Sequence, residues 1–121
     1  MPIKGPLVHS TRLDDGALLI SVSGELDLHS VGALQEALED AISKPGETVV
    51  ADLSEVELID SIALGTLARA SRRLREGGGA LGVAASNADV VRAFEITNLD
   101  RVIPMAATTE GVLERLRTLS D

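Results

Sequence analysis

Apolar positions along the chain alternate between strand-like and helix-like spacing. Leu7 to Leu13 alternates apolar and polar side chains in the manner of an edge strand, and Asp14-Asp15-Gly16 separates it from a second run, Ala17 to Ser23. Asp-Gly between two such runs predicts a hairpin. The second strand is expected to end at Gly24, after which Ser30 can cap a helix whose Val31, Leu34, Leu38, Ala41 and Ile42 share one face. Pro45-Gly46 ends that helix and turns the chain.

The stretch that follows organises the rest. Thr48 to Leu53 is short, apolar and rich in β-branched residues, with almost no polar alternation, as expected of a strand buried on both faces of a parallel sheet. Leu53 to Ile59 reads as a loop. From Leu64 the spacing becomes helical: Leu64, Leu67, Ala68, Ser71 and Leu74 lie on one face, while Arg69, Arg72, Arg73 and Arg75 fall mostly elsewhere. Asp60 and Ser61 thus stand where a loop enters a helix, and either residue type can cap a free N–H there. Ile62, Thr66, Arg69 and Arg73 recur at helical spacing on a different face from the leucine stripe.

Downstream, Gly77-Gly78-Gly79 closes the helix and Ala80 to Ala85 supplies a strand of small apolar residues. The glycine run follows a helix and precedes a strand, so no helix N-terminus faces it, and a C-cap with a turn accounts for it better than a phosphate loop. Ser86 or Asn87 then caps a helix carrying Val90, Val91 and Phe94, Val102 to Met105 forms a short last strand, and Thr108 begins an end helix with Val112, Leu113, Leu116 and Leu119. Four strands each followed by a helix, after one hairpin strand, specify a single α/β domain over residues 1–121 with a mostly parallel sheet. Right-handed crossovers place Asp27, Asp60 and Ser61 near the carboxyl ends of the strands, the rim where open α/β sheets present their sites.

Composition narrows the function. Phe94 is the only aromatic residue among 121, so the core must be aliphatic. Cysteine is absent and the two histidines, His9 and His29, are isolated, which leaves no metal-ligand pattern. A net charge of −8 without Tyr or Trp argues against nucleic acid, because phosphate is repelled and bases have almost nothing to stack on. No apolar run approaches the roughly 18 residues of a membrane span, and no charged-then-apolar leader pattern opens the chain, so a cytoplasmic protein with a protein partner is expected. No serine lies in a Gly-x-Ser-x-Gly elbow and no histidine stands near Ser61 in sequence, so no enzyme activity is expected. Asp14, Asp15 and Asp52 do not make a phosphoacceptor cluster, because the pair sits in a turn and the only lysines, Lys4 and Lys44, are misplaced.

Asp60-Ser61-Ile62-Ala63-Leu64-Gly65, together with Gly24-Glu25-Leu26-Asp27 upstream, resembles the STAS domain and, within it, the anti-sigma factor antagonists. Ile62 stands where that pattern carries a second hydroxyl and Ala63 where it carries glycine. The resemblance implies a mixed sheet with an antiparallel edge strand and helices mainly on one side. It also implies a partner, an anti-sigma factor serine kinase, which would bring its own ATP and magnesium, no cofactor being expected of this chain. Ser61 would be the phosphorylated residue, and Asp27, Asp60, Ser61, Ile62, Gly65, Thr66 and Arg69 the docking edge. Two alternatives stay open: Ser61 and Asp27 as simple helix caps, and the chain as an unphosphorylated docking subunit of a transporter-associated or sensory complex.

Overall fold

The computed structural model describes residues 7–120, the side chain of Ser120 excepted, so the two ends of the expected 1–121 domain lie outside the described residues. Its sheet has five strands in the order of the chain: β1 (Leu7–Arg12), β2 (Leu18–Leu26), β3 (Thr48–Ile59), β4 (Ala80–Ala84) and β5 (Met105–Ala106). β1 runs antiparallel to β2 and every later neighbour is parallel. The expected hairpin is present. Leu13 N–H donates to Ala17 O, Gly16 N–H donates to Leu13 O, and Gly16 adopts φ +94°, the left-handed residue that a three-residue hairpin loop requires.

Helices α1 (Gly32–Ile42), α2 (Ser61–Glu76) and α3 (Ala88–Ile96) cross between parallel neighbours, and α4 (Thr109–Ser120) follows β5. The side-chain alternation of β3 shows where each one packs. Val49, Ala51 and Leu53 join the main core with Leu34 and Leu38 of α1, Leu67 and Leu74 of α2, and Val90 and Phe94 of α3. Val50, on the opposite face, joins Ala84 and the Val112 and Leu116 of α4. Three helices therefore cover one face and α4 covers part of the other, as successive right-handed crossovers and a final reversal dictate.

The sequence-based boundaries shift in four places. β3 does not stop at Leu53: it continues through the stretch expected to be a loop as far as Ile59, burying Val56 and Ile59 while Ser54, Glu55, Glu57 and Leu58 stay exposed. That three-residue rhythm hides a strand from a period-2 reading. β2 likewise passes through Gly24, at φ +97°, to Leu26, with register shifts between Ser21 and Ser23 and between Gly24 and Glu25. The glycine marks a bulge rather than an end. Ser30 does not cap α1, whose N-cap is Val31 with no side-chain bond. The last strand starts three residues late, because Leu99–Arg101 makes a 3₁₀ turn and Pro104, lacking an N–H, offers only its carbonyl, to Val83 N–H.

Other punctuation is where the sequence put it. Gly77 caps α2, Gly78 sits at φ +85°, and a Cβ on Gly79 would lie 2.1 Å from Glu47 O, so the chain crosses itself too closely there for any side chain. Asn87 Oδ1 accepts from Asp89 and Val90 N–H at the head of α3, and Thr108 Oγ1 accepts from Gly111 N–H at the head of α4.

Candidate functional site at the head of α2

The prolonged β2 and β3 end side by side, Leu26 opposite Ile59, and Asp60 N–H donates to Leu26 O at 3.0 Å. Asp60 leaves the strand in an extended conformation and becomes the N-cap of α2, its Oδ1 accepting from Ala63 N–H at 2.9 Å. Its Oδ2 accepts from Leu28 N–H at 3.0 Å, 32 residues away in sequence. One carboxylate thus fixes both the first turn of α2 and the loop between β2 and α1. Because Asp60 is the cap, Ser61 is not; it is the first helical residue, exposed, and among the described residues its hydroxyl makes no hydrogen bond.

Asp27 organises the neighbouring loop. Its Oδ1 accepts from the N–H groups of His29 and Ser30, at 3.0 and 3.1 Å, and lies 3.0 Å from Ser30 Oγ. Ser30 Oγ in turn accepts from Asp27 N–H and lies 2.6 Å from Glu25 O. The Ser30 hydroxyl, then the two backbone N–H groups and the nearby His29, hold the Asp27 carboxyl below its ordinary range against the opposing effect of desolvation. Asp27 is therefore a loop-shaping anion beside the head of α2, and the cap of neither helix.

Apolar side chains surround this polar centre. Ile62 is 45% exposed, Leu28 is 62% exposed, and Leu58, two residues before Asp60, is 52% exposed. The sequence reading singled out Ile62 and missed the other two. Leu28 carried a signal, an apolar residue between Asp27 and His29 in a polar loop; Leu58 was hidden by reading its strand as a loop.

The remaining members of the expected edge divide. Gly65 is half-exposed one turn below Ser61. Thr66 is buried, its Oγ1 donating to Ile62 O at 3.0 Å and lying 3.5 Å from Arg69 Nη2. Arg69 is exposed, and Arg73 Nη1 lies 2.5 Å from Glu39 Oε1 of α1. On the face running from Ile62 to Arg73, Thr66 alone is buried, whereas Ile62, Arg69 and Arg73 are exposed and Arg73 reaches α1 through Glu39. Among the described residues no group of three or more His, Cys, Asp or Glu side chains gathers to hold a metal, and no helix is long and apolar enough to cross a membrane.

With the strand ends, the capping Asp60 and the exposed Ser61 placed, the family model of the STAS domain matches residues 9–112 of the chain. The chain belongs to the STAS domain family. This STAS chain is 29% identical over 103 residues to the anti-sigma-F factor antagonist RsfB of Mycobacterium tuberculosis, covering 85% of this chain and 84% of that one. A crystal structure of an anti-sigma factor antagonist from Mycobacterium paratuberculosis superposes with a TM-score of 0.85 at 30% identity, over 93% of this chain and 95% of that one. The anti-sigma factor antagonist SpoIIAA shares the fold at 21% identity in its unphosphorylated form (TM-score 0.75, 93% and 97% covered) and 20% in its phosphorylated Bacillus form (0.69, 90% and 98%).

Proposed function

We propose that this STAS domain, occupying the whole of residues 1–121, is an anti-sigma factor antagonist that docks on an anti-sigma factor serine kinase and is released when that kinase phosphorylates Ser61. The observation that carries the reading is the division of labour at the head of α2: Asp60 satisfies the helix N-terminus, leaving the Ser61 hydroxyl exposed and unbonded among the described residues. Modification there costs the fold no cap. A phosphate adds about −1.5 to −2 charge, which the free N–H groups and dipole of a helix N-terminus tolerate. The names of the relatives support the function, and the phosphorylated and unphosphorylated forms of SpoIIAA support a switch of this kind. Leu28, Leu58, Ile62, Gly65 and Arg69 provide the surface around Ser61, with Asp27 and Asp60 shaping it, whereas Thr66 supports it from beneath. ATP and magnesium enter with the kinase.

The test is phosphosite mapping with kinase and ATP, followed by calorimetric titration of the kinase with wild type, Ser61→Ala and Ser61→Asp. Ser61→Ala is expected to bind and stay bound. Ser61→Asp is expected to lose about 2 to 5 kcal/mol, as for an unpaired charge buried in an interface, which is roughly 30-fold to several-thousand-fold in affinity. Undiminished binding by Ser61→Asp, with no phosphate on Ser61, sinks the switch and leaves a constitutive docking module.

A further inference from the structure

Ser61, Gly65 and Arg69 follow one another at intervals of four on α2, so they form one line along the helix surface. Helical side chains lean toward the N-terminus, and Arg69 follows this rule. Its Nη1 lies 3.4 Å from the point where a Cβ on Gly65 would stand, and its Nη2 lies 3.5 Å from Thr66 Oγ1. The guanidinium therefore rests over Gly65, one helical turn, about 5.4 Å, from the level of Ser61. Apart from Arg69, the adjacent Leu64 and Thr66 and the helix backbone, no heavy atom of the described residues comes within 4 Å of that Cβ point. The glycine leaves an open path from arginine to serine.

The charges around this line are unevenly satisfied. Arg73, the next arginine on the α1 side, is paired with Glu39, whereas Arg69 has no carboxylate within ion-pair distance among the described residues and only the long contact to Thr66. Asp60 already has both carboxylate oxygens on backbone N–H groups. We propose that Arg69, reaching across the bare backbone of Gly65, is the counter-ion of a phosphate on Ser61. The inference rests on the reading of Ser61 as the modified residue and adds what receives the modification. Arg69 leaves the Thr66 hydroxyl and moves along the helix surface toward the phosphate, offsetting the repulsion from Asp60 on a chain already at −8. The phosphate is then held against α2.

The experiment uses the full chain with phosphoserine installed at position 61 during translation, followed by phosphorus NMR titration. With a cation nearby, the second ionisation of the phosphate should fall below its ordinary value near 6, by up to about 1 pH unit. Arg69→Gln should return it toward the ordinary value, as should Gly65→Leu, which fills the path. Gly65→Ala, whose methyl group fits at 3.4 Å, should titrate as wild type does, and so should Arg72→Gln, which removes the same charge from elsewhere on the helix. Asp60, Asp27 and His29, the titratable groups of the neighbouring loop and cap, are the same in every variant and cancel in the comparison. A titration unmoved by Arg69→Gln, or moved equally by Arg72→Gln, overturns the proposal. Phosphosite mapping with the kinase fails separately: a phosphate found elsewhere removes the role of Ser61, whereas an unmoved titration removes only that of Arg69.

Discussion

At the scale of single residues, Asp60 does the most. It joins a sheet edge, a helix start and a loop through three hydrogen bonds, one from its own N–H and two to its carboxylate. Ala63 is completely buried, so its N–H has no water to turn to if the cap is lost, whereas Leu28 is exposed and its N–H can be rehydrated. Asp60→Ala should therefore cost about 1 to 2 kcal/mol, the range for a lost N-cap, with the loop contact adding little. Asp60→Asn should fall between, because an amide oxygen still accepts from Ala63 while its NH₂ cannot accept from Leu28. Urea denaturation of the three proteins gives the comparison, and equal midpoints would mean that Ser61 or water takes over the cap. The part of this legible in the sequence was local: an aspartate and a serine where strand gives way to helix. The Leu28 contact was not legible, since it joins residues 32 apart and exists only once β2 and β3 end in register.

At the scale of elements, the reading went right where periods were clean and wrong where packing broke them. The stripe Leu34, Leu38 and Ala41 foretold the buried face of α1, and the apolar, β-branched run of Thr48 to Leu53, with almost no polar alternation, foretold an interior strand, as found. The extension of β3 to Ile59 and the bulge at Gly24 escaped because a bulged pair loses its period of two. The burial of Thr66 escaped because its cause is the docking of α1, which no periodicity within α2 records. Gly82 is a different case, in which composition held a signal that periodicity lacked. A Cβ there would lie 2.3 Å from Val112 Cγ1 and 3.2 Å from Leu116 Cδ1, so α4 lies directly on the backbone of β4. A glycine inside a strand often marks such an approach. Gly82→Ala should force α4 outward and destabilise by about 1 to 3 kcal/mol, typical of overpacking. Gly32→Ala, at the start of α1 with nothing within 4 Å, should be neutral or stabilise by up to about 1 kcal/mol. Thermal melts of both variants decide it; a neutral Gly82→Ala would show that α4 yields freely.

At the scale of the molecule, the two faces of the sheet are unequal. The face under α1, α2 and α3 holds the main core and carries the strand ends from which Asp27, Asp60 and Ser61 project. The other buries Val50, Ala84, Val112 and Leu116 under α4, and β5, the edge strand beside it, pairs through only two residues. Opening free energy follows buried apolar contact, so elements tied down by a small cluster open sub-globally before the rest. Native-state hydrogen exchange should therefore find α4 and β5 exchanging through a partial opening, while β2, β3 and α2 exchange only by global unfolding. The functional consequence is that the rim at the head of α2 stays ordered while α4 comes and goes, since none of its hydrogen bonds involves α4. A phosphate on Ser61 then meets a fixed surface, and its effect is read by the partner rather than by the fold. Amides of α4 as slow as those of β3 would instead make the two faces one cooperative unit, and the rim would then share in every opening of α4.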